Sequence, residues 1–340
     1  MKRIFLKDIA KDLKVSKTTI SLVLNNKGDE NKISKETQRR IIAYAKKHNY
    51  VPNQLARGLS RGKSETIGLI IPNISDIFYA KIARCVEKKA KEFGYTVVFS
   101  SSDEDPGQET ELIRSMLNRQ VEGLIIASTQ KNKKEIKALQ KMNYPFVLID
   151  RHYPGSASDY VVVDNYKGTK TATEHLLKLG RRRIGFVTLE PGLEAIKQRL
   201  QGYQDALRDA SFRPVKKLVK ELGTRSYPED MKQAIEELLG LSNPVDAIVF
   251  STHYLTALGL RELKRSGINV PEDVAIVSFD EMSAFDLMDP PITSVIQPVT
   301  DIGNEAVDIL MHKIESNNSS PNEKRILKTK LEIRKSCGAN

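Results

Sequence analysis

The chain has 340 residues, 40% of them apolar and no low-complexity tract, long enough for two or three folded domains with buried cores. Its two cysteines, Cys85 and Cys337, form no CxxC, which excludes a disulfide framework or a four-cysteine zinc site, and no signal-peptide core or 18-residue apolar run points to secretion or a membrane span. The net charge of +11 is confined to the start: residues 1–63 hold 16 Lys/Arg against 5 Asp/Glu, and residues 64–340 balance at 38 of each, which describes a polyanion-binding head on a neutral body in a reducing cytoplasm.

Within the head, "KDIAKDLKVSKTTISLVLNN" places Ile9, Ala10 and Leu13, then Val15, then Ile20, Val23 and Leu24 at helical spacing. Two short helices sharing one apolar face follow, with Ser16 as N-cap of the second and a connection of about three residues. That is helix-turn-helix geometry. A third helix should start at the cap Ser34 and bury Ile41 and Ala45. On the second helix Lys17, Thr18, Ser21 and Leu22 face outward, where small and basic side chains can reach base edges and phosphates. Leu22 has no place in a core of this head, and thymine methyl groups are a fitting partner for it.

The stretch "GLSRGKS", residues 58–64, has the look of a phosphate-binding loop but is one residue short, and a strand follows it where a helix is required. What remains is Pro52 at a helix start and "NQLARGL", about two turns that are unstable alone in water and fold on binding. Leu59 is suited to wedge between base steps from the minor groove, with Arg57 and Arg61 on phosphates.

Beyond the linker, "TIGLIIP", "YTVVFSS", "GLIIAS", "FVLID", "YVVVD", "RIGFVTL", "DAIVFST", "VAIVSFD" and "SVIQP" alternate with helical stretches. Such near-continuous apolar strands predict parallel sheets covered on both faces, and nine of them favour two lobes. No GxGxxG follows any strand. Ligands of open parallel sheets sit beyond the carboxyl ends of strands, so the candidates are residues 73–79, Asp150 and Arg151, Asp164 and Asn165, Thr188, His253 and Tyr254, and Asp280 and Glu281. Acids, an arginine and aromatics together suit a polyol.

From "DIAKDLKVSKTTISLVLNN" and "ISKETQRRIIAYAKKHNYVPNQLARGLSRGKSETIGLIIPNISDIFYAKIA" through "RLQGY", "VPEDVAIVSFDE" and "DPPITSVIQP", the chain resembles the lactose/galactose repressor (LacI/GalR) family of bacterial transcription regulators over nearly its whole length. The resemblance implies a small all-α head plus a two-lobed, doubly wound, periplasmic-binding-protein-like α/β body. It further implies a homodimer that reads two half-sites of a pseudo-palindromic DNA operator while paired hinge helices insert Leu59. With it, the candidate DNA contacts are Lys17, Thr18, Thr19, Ser21, Leu22, Asn25, Asn53, Ala56, Arg57 and Leu59. The candidate effector contacts are Phe78, Asp150, Arg151, Arg199, His253 and Asp280, with Arg199 as a planar anchoring fork. The domains implied are a head over 1–50, a hinge over 51–63, an N-terminal lobe of 64–165 with about 296–325, and a C-terminal lobe of 166–295 with about 326–340. Four features depart from the family pattern: Leu22 replaces a usual Arg, Phe5 a first-helix Thr cap, Lys14 a turn Gly, and His253-Tyr254 a frequent Asn-Asp pair.

No GxSxG or HExxH is present, and the five histidines have no metal spacing, so neither an enzyme nor a metal or other cofactor is expected. The reading is a cytoplasmic DNA-binding regulator, a repressor, whose operator affinity is set by a small molecule, a sugar or sugar derivative, in the inter-lobe cleft. The alternative is a cytoplasmic sugar-binding or sugar-processing protein with an incidental basic head.

Overall fold

Three helices form where the head's apolar spacing places them: α1 (Leu6–Leu13), α2 (Lys17–Leu24) and α3 (Lys35–Lys47). The structure is a computed structural model that describes residues 4–48, 50 and 63–339. Ile9, Ile20, Val23 and Ile41 make the head's core, flanked by Leu13, Val15 and Tyr44. Ser16 Oγ accepts the Thr19 N–H at 3.0 Å and Ser34 Oγ accepts the Thr37 N–H at 3.2 Å. Each such cap stabilises its helix by about 1 kcal/mol. Phe5 does cap α1 but has no side-chain acceptor; its own N–H donates to the Asp8 carboxylate at 2.9 Å instead. Lys14 ends α1 at φ 52°, the left-handed region that favours glycine, so a lysine in this turn carries backbone strain that a glycine would not.

The head and the rest of the chain are separate units, divided after Ser64. In the body, β1 (Thr66–Ile71), β2 (Thr96–Ser101), β3 (Gly123–Ile126), β4 (Phe146–Ile149) and β5 (Asp159–Val163) join β11 (Lys324–Leu327) in one parallel sheet, ordered β2-β1-β3-β4-β5-β11. Along β1 the alternation separates two cores: Ile67, Leu69 and Ile71 pack toward α4 (Ile77–Glu92) and α11 (Val299–Glu315), while Ile70 meets Ile113 and Met116 of α5 (Pro106–Asn118). Helix α6 (Lys133–Lys141) completes the second face with Ile136 and Leu139.

The second lobe repeats the plan. Strands β6 (Ile184–Leu189), β7 (Val219–Leu222), β8 (Ala247–Phe250), β9 (Ala275–Phe279), β10 (Thr293–Ile296) and β12 (Lys330–Glu332) are ordered β7-β6-β8-β9-β10-β12. All neighbours are parallel except β12, which runs antiparallel to β10. Helices α7 (Asn165–Lys178) and α8 (Glu194–Asp209) cover one face, and α9 (Tyr227–Leu239) and α10 (His253–Arg265) the other. Nine of these twelve strands are the nine apolar runs of the sequence. The three additional ones, β7, β11 and β12, are short, charged edge strands, which carry a weak apolar signal because an edge is buried on one side at most.

The chain passes between the lobes three times, after Val163, after Ile296 and after Leu327, so the last crossing falls about two residues beyond the expected boundary near 325. Among the described residues no helix is long and apolar enough to cross a membrane.

Candidate functional site

The segment "RLQGY" shows how local sequence positions the cleft. Gly202 lets α8 lie so close to α7 that an added Cβ would sit 2.2 Å from the Tyr166 carbonyl oxygen. Tyr203, one residue on, is fully buried, stacks on Phe186 at 4.8 Å and donates its hydroxyl to the Ile184 carbonyl at 2.7 Å. With the helix fixed on both sides, Arg199 reaches the strand ends. Its Nε donates to Asn165 Oδ1 at 2.8 Å and its Nη1 to the Ser251 carbonyl at 2.6 Å, and the guanidinium lies 3.7 Å from the Phe279 ring centroid.

Asp280 follows β9 directly, with its Oδ2 3.7 Å from Arg199 Nη1 and its Oδ1 accepting from the Gln297 amide. Burial pushes the Asp280 carboxyl up, but Arg199 first and then His253 and Gln297 outweigh it and hold it below its usual value. His253 opens α10, with Nε2 3.7 Å from Asp76 Oδ1 and Nδ1 4.0 Å from Asp280 Oδ2. Asp76 caps α4 by accepting the Phe78 N–H at 2.8 Å. Its pKa is raised by burial, against the opposing charge of His253, and Asp280 and Asp150 raise it further. These contacts bring Asp76 of the first lobe to His253, Asp280 and Arg199 of the second.

Asp150 follows β4 and accepts the Tyr79 hydroxyl at 2.7 Å. Arg151 lies beside it, with Nε 3.2 Å from Asp150 Oδ2, but its fork is turned away from the second lobe. Nη2 and Nη1 grip Glu104 at 2.6 and 2.8 Å, and further contacts go to Tyr79 and the Ser128 carbonyl. Arg151 is therefore committed to its own lobe, where it holds Asp150 and Tyr79 in place. Asp164, another strand-end candidate, is a helix cap that accepts the Lys167 N–H at 2.8 Å.

Strand-end reasoning did not single out Glu104, Ser251 or Gln297. Ser251 and Gln297 follow β8 and β10 directly, so the same rule extended to every strand finds both. Glu104 stands three residues past β2, and only tertiary contact reveals its hold on Arg151.

In the head, Lys17 and Thr18 are exposed, and Ser21, Leu22 and Asn25 are half-buried. Leu22 lies outside the head's core, as its position on the helix face implies. The Thr19 hydroxyl pairs with Ser16 Oγ at 2.8 Å, and the Asn25 amide donates to the Ser21 carbonyl at 2.7 Å, so both serve the ends of α2. The loop before α3 was not singled out. There Asp29 accepts from Lys35 Nζ at 2.6 Å and Gln38 Nε2 at 2.9 Å, and these two contacts, Lys35 first, lower its pKa. Asn53, Ala56, Arg57 and Leu59, with the expected hinge helix, lie outside the described residues.

A three-helix head joined to a two-lobed α/β body whose cleft gathers acids, arginine and aromatics defines an effector-binding regulator of the helix-turn-helix class. Residues 5–53 match the family described as bacterial regulatory proteins, lacI family, and residues 64–335 match periplasmic binding proteins and sugar binding domain of LacI family. The chain belongs to the LacI family and is a DNA-binding transcriptional regulator, not an enzyme.

Among its relatives, the catabolite control protein A of Priestia megaterium is 32% identical over 305 residues, covering 89% of this chain and 90% of that protein. The ribose operon repressor of Bacillus subtilis (strain 168) is 32% identical over 307 residues, 90% of each. A solved transcriptional regulator CelR-cellobiose complex superposes with a TM-score of 0.73 at 28% identity, covering 98% of this chain and 100% of that one. The lac repressor dimer bound to operator and the anti-inducer ONPF gives 0.85 over 99% and 100%, and at 22% identity it shows the shared fold alone.

Proposed function

We propose that the cleft binds an uncharged polyhydroxylated ligand, a sugar or sugar derivative, and that this ligand sets the affinity of a homodimeric repressor for a pseudo-palindromic operator. The observation that carries the reading is the setting of Arg199. Its guanidinium is held rigidly beside Asp280 at the strand ends, and Thr188 Oγ1, Ser251 Oγ, His253 Nδ1 and Gln297 Oε1 nearby are buried without a protein hydrogen-bond partner. Buried polar atoms call for partners, and a ligand rich in hydroxyls offers both donors and acceptors. Tyr254, beside His253, and Tyr227, its ring centroid 5.1 Å from that of Tyr254, are the aromatic side chains against which a sugar ring would pack. The cellobiose bound by the CelR neighbour and the sugar-binding description of the matched family support the same ligand class.

The mechanism proposed is linkage. A ligand that binds one arrangement of the lobes better than another shifts that equilibrium, and residues 51–63, which join body to head, carry the change to the DNA contacts. A coupling of about 1–3 kcal/mol alters operator affinity by about 5- to 150-fold. Lys17, Thr18, Ser21 and Leu22 would read the major groove, with the basic surface of the head on phosphates. Exposed Ile74, Ile77 and Phe99 on one lobe and Leu287 on the other offer apolar surface for a second copy of the chain. A cytoplasmic location agrees with DNA as the partner.

Thermal-shift screening of the full-length protein against mono- and disaccharides, their derivatives and nucleosides tests the reading, followed by operator titration with each stabilising compound. The expected result is a compound that raises the melting temperature and changes operator affinity. A panel with no stabilising compound would remove the sugar class.

A further inference from the structure

Helix α8 carries Arg199 in its second turn, and its first turn is finished by the other lobe. Leu193 stands at its N-cap position, in extended backbone at φ −103° and ψ 143°, and has no side-chain acceptor to offer. The helices that bring Asp76, Asn165 and His253 to the cleft provide their own: Asp76 for α4, Asp164 for α7, and Thr252 for α10, whose Oγ1 accepts the Leu255 N–H at 3.3 Å. At α8 the acceptor is Gln130, which lies past β3 in the first lobe and takes the Glu194 N–H on its Oε1 at 2.8 Å. The same amide donates from Nε2 to the His152 carbonyl, also in the first lobe. These two partners fix the orientation of the amide, because a reversed one would set oxygen against oxygen and N–H against N–H.

The loop that presents Gln130 is tied down from within its own lobe. Gln130 takes φ 59°, in the left-handed region, and its N–H donates to Ser128 Oγ at 3.1 Å. Fully buried Glu109 accepts the Ser128 hydroxyl and the Thr129 N–H, both at 2.8 Å. The Tyr153 hydroxyl lies 2.8 Å from Ser128 Oγ and accepts the Asn132 N–H at 3.1 Å. A loop held in this way has little freedom left to lose when its side chain docks on a partner.

We propose that Gln130 caps α8 from across the cleft, so that the helix carrying Arg199 is complete only while the lobes are closed. Gln130 is then a positioning residue for that arginine. The first N–H groups of a helix have no acceptor within it, and parting the lobes takes Oε1 away from Glu194, which lets the first turn of α8 fray. Closing orders the turn that precedes Arg199, so cleft closure and readiness of the anchor become one event. The inference rests on the reading of the cleft as an effector site for the role of Arg199, whereas the cap itself is measured with no ligand present.

Hydrogen–deuterium exchange of the full-length protein tests the cap. Gln130→Asn keeps an amide and suits the left-handed backbone, but it is one methylene too short to reach both partners. It should lose protection about fivefold in the peptide spanning residues 194–199, the effect of removing a cap of ordinary strength. Leu193→Asn gives α8 an acceptor from its own chain, and the double variant should regain wild-type protection over those residues. Unchanged exchange over 194–199 in Gln130→Asn would overturn the proposal. So would a loss there that Leu193→Asn does not restore, because it would mark a general loosening of the lobes and not a missing cap. The sugar screen is decided separately: a panel with no stabilising compound leaves the cap standing, and a refuted cap leaves the ligand class untouched.

Discussion

Asp150 and Asp280 hold the same position in the two lobes. Each directly follows the fourth strand of its sheet order, β4 or β9, and each takes a left-handed backbone conformation, φ 63° and 70°. Each also donates its N–H to the next strand over, to the Val161 carbonyl at 3.1 Å and the Val295 carbonyl at 3.0 Å. Non-glycine residues in that conformation carry about 1–3 kcal/mol of strain, which the surrounding sheet must overcome. The pair marks the two walls of the cleft, and their neighbours differ: Asp150 has Tyr79 and Arg151, Asp280 has Arg199, His253 and Gln297.

Arg199→Ala leaves Asp280 buried without its main counter-charge and frees Asn165 Oδ1 and the Ser251 carbonyl. Breaking a buried pair in this way costs about 3–5 kcal/mol. The melting temperature should fall and ligand response should vanish, while the head keeps its affinity for DNA. A variant with normal ligand response would show that Arg199 is no anchor.

Gly202→Ala brings a methyl group to within 2.2 Å of backbone at Tyr166, which cannot move without separating α7 from α8. Thermal melting should show a loss of at least about 2–3 kcal/mol, in the range of overpacked cores. Melting unchanged from wild type would mean that the helices are less tightly held than the structure places them.

Acid stability follows from the lowered pKa of Asp280. A carboxyl lowered on folding contributes stability fully present above its unfolded value, near 3.8, and lost as pH falls through its folded value. Asp280→Asn should therefore destabilise the protein at neutral pH, and the gap to wild type should narrow below about pH 4. Melting curves across that range check the sign, and a gap that widens in acid would contradict it.

The confinement of the charge excess to residues 1–63 predicts steep salt dependence of DNA binding. For a dimer making about six phosphate contacts, log affinity should fall with log salt at a slope near about −5. Fluorescence anisotropy with an operator fragment measures it, and a flat response would exclude phosphate-dominated binding.

Leu59→Ala should weaken operator binding by about 1–3 kcal/mol, the scale on which losing buried apolar contacts is felt. Ligand affinity should stay near that of wild type. Unchanged operator affinity would remove the leucine wedge from the account.

Much of this protein was legible in the linear chain because its signals are local. The apolar face of α1 to α3, the caps Ser16 and Ser34, the charge of the head and the nine apolar strands each depend on residues a few positions apart. Strand-end position pointed to Asp150, His253 and Asp280 for the same reason, and the resemblance added Arg199. The edge strands β7, β11 and β12 escaped because they are short and charged.

The amino-acid sequence by itself determined the helix-turn-helix head, the two-sheet body and the family. Tertiary structure alone decided where the donors of Arg151 go, since Glu104 is 47 positions away and no spacing rule joins them. It also decided that Asp76 and His253 face each other across the cleft, and that the two lobes share one strand order built from unlike segments. The physical reason is range: helix faces and strand alternation are set by neighbours along the chain, whereas a buried charge takes its partner from whatever the folded sheets bring within a few ångströms.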